Sequence, residues 1–118
     1  FTFPEIIRFQ SKMKKFQNAI SEKDVLKISF LEDSVGKQVK YFSSGMKQRA
    51  KLDLSVLSDS SVLLLDEPAS NLDNKGAEWY KNLIREYASD KLIIVCSNNQ
   101  KDEFSFCNRE IRLEDYKR

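Results

Sequence analysis

The first part of the chain has apolar residues at helical spacing. Five of them recur every three or four positions and would share one helix face: Ile6, Phe9, Met13, Phe16 and Ile20. This periodicity predicts an amphipathic helix whose apolar face packs in a core. Thr2 and Glu5 have the spacing of a capping box, which places the start of the helix next to Pro4.

The hydrophobic pattern changes after residue 61. Before that point it predicts a second helix that begins near residue 21 and ends between 28 and 31, and a third that follows residue 45. After it, two continuous apolar runs predict strands of a parallel sheet, buried on both faces. The strands are expected at 62–65 and 92–96, helices at 74–88 and 101–104, and a more exposed final strand at 109–113. Strand, helix and strand in this order predict an α/β fold.

Composition and charge exclude several classes of function. Hydrophobic residues make up 41% and charged residues 32% of 118 residues, which is typical of a folded domain. A net charge of +2, from 20 bases and 18 acids, gives no footprint for nucleic acid. Histidine is absent, so histidine-based triads and metal sites are impossible. The two cysteines form no CxxC pair, which favours a reducing cytoplasm, and no apolar run approaches the roughly 20 residues of a membrane span.

The turn before the third predicted helix is a candidate anion site. Ser43, Ser44 and Gly45 open this helix, and Met46 follows them. Such a turn offers unpaired backbone N–H groups, a hydroxyl and the positive end of a helix dipole. Serine and glycine also act simply as helix caps, so the turn alone does not distinguish a binding site from a cap.

Two adjacent carboxylates follow the first predicted strand. Asp66 and Glu67 would lie at the carboxyl end of that strand, where α/β sheets bind ligands. Asp66 is suited to hold Mg²⁺, directly or through water, and Glu67 to deprotonate a water that attacks a phosphate. A polar loop, Ser70-Asn71-Leu72-Asp73, comes directly afterwards, and its Asp73 is a predicted N-cap.

The order and spacing of these segments resemble the ABC ATPase family. That family has an LSGGQ signature followed by QR, an apolar strand that ends in DEP, and a D-loop of S-x-LD type. Here residues 42–46 stand for the signature, Gln48 and Arg49 match QR, and residues 66–68 and 70–73 match DEP and the D-loop. The resemblance implies a partial P-loop NTPase core of RecA-like fold.

The resemblance also implies a division of the chain, a reaction and partners. Residues 1–42 would form the helical subdomain, and residues 43–118 the C-terminal half of the ATPase core. Family members hydrolyse ATP with Mg²⁺, and two nucleotide-binding domains dimerise head to tail around two ATP molecules. A transmembrane transporter subunit would be the second partner, and nucleic acid would not be one. The expected location is the cytoplasm, peripheral to the cytoplasmic membrane.

Residue roles follow from the resemblance position by position. Four residues of the signature would contact ATP held by the partner domain: Ser43, Ser44, Gly45 and Met46. Asp66 would act on Mg²⁺ and Glu67 would be the general base. Asp73 would belong to the nucleotide site at the dimer interface. Asn98 stands where the family usually has a histidine that contacts the γ-phosphate.

This sequence departs from the family pattern at several positions. Phe42, Ser44 and Met46 replace leucine, glycine and glutamine of the signature. Serine narrows the backbone freedom that glycine provides. Asn98 can donate a hydrogen bond but cannot carry a proton at neutral pH, so slow hydrolysis or an altered switch is one expectation.

The phosphate-binding loop is the largest departure. No G-x-x-x-x-G-K-[ST] sequence occurs, and the chain has only three glycines. The first residues, Phe1-Thr2-Phe3-Pro4, lack an initiator methionine, and we expect this chain to be a C-terminal piece that neither binds ATP tightly nor hydrolyses it alone. By family topology, the strand at 92–96 would then have an open edge, which predicts self-association or a displaced C-terminal segment.

Two other hypotheses stay open from the sequence. One is the C-terminal lobe of a chromosome-maintenance or DNA-repair ATPase, which such a signature also fits, although the apolar stripe is short for a coiled coil. The other is a non-catalytic module that uses the fold as an interaction surface. The absence of histidine favours this second hypothesis, and Asp66 with Glu67 opposes it.

Overall fold

A computed structural model describes residues 1–113. In that range the chain alternates helices and strands after an all-helical first part. The helices are α1 (Phe3–Met13), α2 (Glu22–Ser29), α3 (Ser44–Leu57), α4 (Asn74–Tyr87) and α5 (Lys101–Phe104), and the strands are β1 (Val62–Asp66) and β2 (Leu92–Cys96). Short 3-10 turns lie at Gln17–Ala19, Glu32–Ser34 and Val39–Tyr41.

Local side-chain caps fix where the helices begin. Thr2 and Glu5 form the predicted capping box of α1 in both directions. Ser21 and Asp24 form a second one at α2. The Asp73 carboxylate accepts a hydrogen bond of 2.8 Å from the Gly76 amide, which confirms it as the N-cap of α4.

The predicted apolar face of the first helix is wrong within α1, although Phe16, which follows the helix, is buried in the core as predicted. Phe9 and Met13 are 67% and 74% exposed, and the helix ends at Met13. The buried residues of α1 are instead Phe3, Pro4 and Ile7, and one turn later the Gln10 amide donates to the Leu54 carbonyl at 3.0 Å. Two apolar stripes of helical spacing exist on α1, and contact with α2 and α3 selects the other one.

The strands β1 and β2 form a two-stranded parallel sheet. Val62 pairs with Leu92 and Asp66 with Cys96, without a bulge between them. The helix α4 connects the two strands, as the sequence predicts. This βαβ unit brings the carboxyl ends of both strands to one edge.

Burial of the sheet on both faces, as predicted from the apolar runs, is contradicted. Leu63 and Leu65 are 4% and 5% exposed and belong to one core with residues of α3 and α4. Four large apolar residues lie on the other face and are between 46% and 70% exposed: Val62, Leu64, Leu92 and Ile94. We call this set the open face. Continuous apolar runs are typical of strands whose two faces are both buried. In this structure the described residues cover one face of the sheet.

The predicted final strand at 109–113 does not form. Residues 109–112 have no regular structure, and the sheet order within the described residues is β1–β2. A strand needs a partner for its backbone groups, and this segment does not pair with β2. The outcome agrees with the expected displaced C-terminal segment, while self-association stays a prediction. None of the helices in residues 1–113 is both long and apolar enough to cross a membrane.

Candidate functional site

The predicted catalytic residues lie at the shared carboxyl edge of the sheet. Asp66 ends β1 and Glu67 follows it, while Ser97 and Asn98 follow β2. The Glu67 amide donates a hydrogen bond of 2.8 Å to the Cys96 carbonyl, which joins the two segments directly. Asp66, Glu67 and Asn98 are exposed. The structure therefore brings the three predicted groups together and leaves them accessible to a ligand.

Glu67 adopts an unusual backbone conformation. Its φ is +46°, in the left-handed region that residues other than glycine rarely occupy. Its carbonyl accepts from the Ser70 amide at 3.0 Å, so a tight turn begins directly at this residue. Strained residues of this kind persist where surrounding contacts hold them, and they cluster at functional sites.

The loop after the carboxylates contacts the start of α3. The Gln48 side chain donates a hydrogen bond of 2.9 Å to the Pro68 carbonyl. A Cβ at Gly45 would lie 3.2 Å from the Asn71 carbonyl oxygen, so glycine permits this close approach. These contacts place the signature-like segment beside the D-loop-like segment within one chain.

The predicted anion site is a capped helix N-terminus in which two backbone amides have no acceptor among residues 1–113. The Ser43 hydroxyl accepts from the Met46 amide at 3.1 Å and caps α3. The Ser44 and Gly45 amides have no acceptor in residues 1–113. Ser43 and Ser44 are exposed, whereas the Met46 side chain packs partly against the core. Met46 therefore takes part in this helix start through its backbone and not through its side chain. The Ser44 and Gly45 amides could donate to an anion.

The carboxylates fit a Mg²⁺ ion shared with a nucleotide better than one held by protein alone. Residues 1–113 contain no group of three or more candidate cysteine, aspartate or glutamate ligands. Mg²⁺ commonly uses one or two carboxylates and completes its shell with substrate phosphates and waters. Asp66 can supply such a carboxylate. One carboxylate oxygen of Asp73 already accepts the hydrogen bond that caps α4.

Sequence reasoning missed two buried acids, Glu103 beside this site and Asp53 in the middle of α3. Glu103 of α5 is 1% exposed and hydrogen-bonds the loop after Glu67. Asp53 of α3 is fully buried, and neither carboxylate oxygen has a partner in residues 1–113. A four-residue helix gives too few positions for a periodicity signal at Glu103, whereas Asp53 has the apolar residues Ala50 and Leu57 at helical spacing on α3. The sequence therefore held no signal for the burial of Glu103, while the apolar helix neighbours of Asp53 were a signal for its burial that was not used.

Comparison with known proteins agrees with the family resemblance of the motifs. The family model described as ABC transporter matches residues 2–70. An uncharacterized ABC transporter ATP-binding protein of Bacillus subtilis, YybJ, is 32% identical over 109 residues, which is 92% of this chain and 49% of that protein. The lipoprotein-releasing system ATP-binding protein LolD of Ehrlichia chaffeensis is 32% identical over 92 residues, 78% of this chain and 38% of that protein. The chain thus spans about half or less of the length of these relatives.

Solved structures confirm the predicted partial P-loop NTPase fold. An archaeal ribosome recycling factor, solved with a ribosomal stalk protein, aligns with a TM-score of 0.67 at 21% identity, over 84% of this chain and 18% of that one. A bacterial ABC exporter of the Atm1 family with ATP bound aligns with a TM-score of 0.59 at 18% identity, over 88% of this chain and 20% of that one. At these identities the likeness concerns the fold alone. Taken with the family match, it leads to one conclusion: the chain belongs to the ABC transporter family, in its ATP-binding domain.

Proposed function

We propose that this chain supplies the signature, metal-binding carboxylate and general base of an ATPase that drives transport across a membrane. The observation that supports this most is the edge of the sheet, where Asp66, Glu67 and Asn98 follow two adjacent parallel strands. All three groups are exposed at the position where α/β sheets bind ligands.

The proposed roles follow from the chemistry of each group. Asp66 would bind Mg²⁺, which, when bound, neutralises charge on the phosphates of ATP. Glu67 would accept the proton of the attacking water. Asn98 would donate its amide hydrogen bond to the terminal phosphate. The Ser43 hydroxyl and the Ser44 and Gly45 amides would donate to the phosphates of a nucleotide held by a second domain, with Asp73 at that interface.

Three partners complete the proposal. A phosphate-loop segment would pair with the unpaired edge of β2 and cover the open face, since four exposed apolar side chains there need a cover. A second ATP-binding domain would face the α3 start. A transmembrane subunit would contact residues 1–42, the proposed helical subdomain, on the cytoplasmic side of a membrane. The chain alone is expected to be inactive, because it contains no phosphate-binding loop.

The test compares this chain alone with a fusion behind the phosphate-loop half of the Bacillus subtilis relative. The chain alone should show no Mg-ATP turnover. The fusion should turn over ATP, and E67Q should lower the rate by about 10²–10⁴-fold with nucleotide binding retained. N98A should lower it by about 10²-fold, because one hydrogen-bond donor to the phosphate is lost.

A non-catalytic interaction module is the second candidate function, and the open face favours it. In that case the fusion would bind nucleotide without turnover, or with turnover that E67Q and N98A leave unchanged. Turnover by the 118-residue chain itself would contradict the proposed need for a phosphate-loop partner.

A further inference from the structure

Glu103 is a buried carboxylate in an otherwise exposed turn. Lys101 and Asp102 of the same short helix α5 face solvent, whereas Glu103 is 1% exposed. A carboxylate removed from water is costly unless hydrogen bonds replace its hydration. The partners of Glu103 therefore explain why it lies there.

Three groups donate hydrogen bonds to Glu103. The Ala69 amide donates to Oε2 at 2.7 Å, and the Ser97 hydroxyl donates to Oε1. The Tyr80 hydroxyl of α4 donates to the main-chain carbonyl at 2.7 Å. Burial, and then the nearby Cys107 and Glu103, raise the pKa of Tyr80, so its hydroxyl keeps the proton that it donates. We call Glu103, Ala69, Ser97 and Tyr80 the Glu103 network.

The network joins the two segments that carry the candidate chemistry. Ala69 lies two residues after Glu67, in the turn that holds Glu67 in its left-handed conformation. Ser97 directly precedes Asn98 at the end of β2. One carboxylate oxygen of Glu103 thus contacts the turn that begins at Glu67, and the other contacts the residue before Asn98.

We infer that Glu103 is a positioning residue that fixes the turn at Glu67 relative to Asn98. Gln48 of α3 also holds this turn, because its side chain donates to the Pro68 carbonyl, so residues of both α3 and α5 contact the turn. The effect on hydrolysis rests on the proposed function. The effect on the geometry does not, because it depends only on contacts inside this chain.

The chemistry of the site explains why a carboxylate is needed. Two donors, the Ala69 amide and the Ser97 hydroxyl, converge on Glu103 without competition from water. Glutamate offers two acceptor oxygens, whereas glutamine offers one acceptor and one donor. Glutamine can keep the Ala69 contact if the Ser97 hydroxyl turns to accept, and alanine keeps neither contact.

Backbone amide hydrogen exchange, followed by NMR on the 118-residue chain, tests the inference. E103A should raise the exchange rate of the Ala69 amide by about tenfold or more, because a hydrogen bond to a charged group is lost. Its amide proton should also shift upfield. E103Q should produce a smaller change of both. D102N is the matched control, because Asp102 belongs to the same helix as Glu103 but forms an exposed ion pair with Lys81. This variant should leave the exchange rate of the Ala69 amide unchanged.

The second variant is S97A, which keeps Glu103 and removes one donor. It should preserve Ala69 protection and increase exchange near Asn98. In the active fusion, E103A should lower kcat by about tenfold to a hundredfold through misplacement of Glu67, with little change of KM. An Ala69 amide that exchanges equally in wild type, E103A and D102N would overturn the inference. An inactive fusion with the expected exchange pattern would instead reject the proposed function and keep the positioning contact.

Discussion

The two faces of the β1–β2 sheet differ in burial although the same strands form both. On one face Leu63 and Leu65 are 4% and 5% exposed, in a core shared with α3 and α4. On the open face, Leu64 between them is 70% exposed, and Ile94 of β2 is 48% exposed. Leucines adjacent in sequence therefore have opposite environments, because successive side chains of a strand point to opposite faces.

This difference shows which part of the chain is self-sufficient. The covered face, with α3 and α4, forms a continuous core. The open face and the outer edges of β1 and β2 are uncovered within the described residues, and one strand-plus-helix unit beside β2 would cover the open face and the edge of β2. Pairing two copies edge to edge would satisfy the backbone of β2 and leave the apolar face exposed. The Bacillus subtilis relative is about twice as long as its matched segment and contains enough further chain for such a unit.

The largest expected effect comes from a matched pair of leucines on β1. Leu63→Ala should lower the free energy of unfolding by about 2–5 kcal/mol, since it removes buried methyl groups and leaves a cavity. Leu64→Ala should change it by less than about 1 kcal/mol, because that side chain is already in water. Urea unfolding followed by circular dichroism measures both. Equal losses in the two variants would mean that the open face is covered in solution.

The covered side also contains a destabilising group, Asp53. Its carboxylate is fully buried in α3 without a hydrogen-bond partner in residues 1–113, and burial raises its pKa from 3.8 to about 8. The folded state therefore binds a proton that the unfolded state has released between about pH 4 and 8. Stability should be greatest at acid pH and should fall as pH rises through this window, by up to about 1.4 kcal/mol per unit.

Asp53→Asn tests this pH dependence. The variant should be more stable than wild type by about 2–4 kcal/mol at pH 8, and the slope between pH 4 and 8 should largely disappear. Urea unfolding at a series of pH values measures the slope. Asp33→Asn, at an exposed aspartate in a 3-10 turn, is the control and should leave the slope unchanged. A wild-type protein whose stability is flat across this window would show that Asp53 finds a partner in solution.

The smallest effect on stability is expected from charge on the open face. Leu64→Lys with Ile94→Lys should alter the free energy of unfolding by only about 0.5–1 kcal/mol, as both positions are exposed. The same pair should prevent copies from associating through the open face, because charges disfavour apolar contact, whereas pairing at the edge of β2 would persist. Analytical ultracentrifugation compares the variant with wild type. A wild type that is monomeric at high concentration would contradict self-association through this surface.

The sequence predicted features that depend on neighbouring residues. The capping box of Thr2 with Glu5, the Asp73 cap and the apolar runs of both strands are local signals, and the structure has them all. The candidate site was predicted for a related reason. Asp66, Glu67 and Asn98 end or follow predicted parallel strands, and parallel strands bring such positions to one edge.

Other features could not be predicted because they depend on contacts between distant residues. Which of two apolar stripes on α1 is buried depends on packing against α2 and α3, and propensity does not choose between them. The contact of Glu103 with Ala69 joins residues 34 positions apart through a short helix that has no periodicity of its own.

The sequence by itself determined the family, the order of the elements and the residues that meet at the carboxyl edge of the sheet, because these follow from motif spacing and local periodicity. Only the tertiary structure decided that Phe9 is exposed while Ile7 is buried, that one sheet face stays open, and that Glu103 is buried. The physical reason is that burial is a property of the surface that an element meets. A strand of four apolar residues encodes two faces to be covered, and the number of covered faces depends on which other segments pack there.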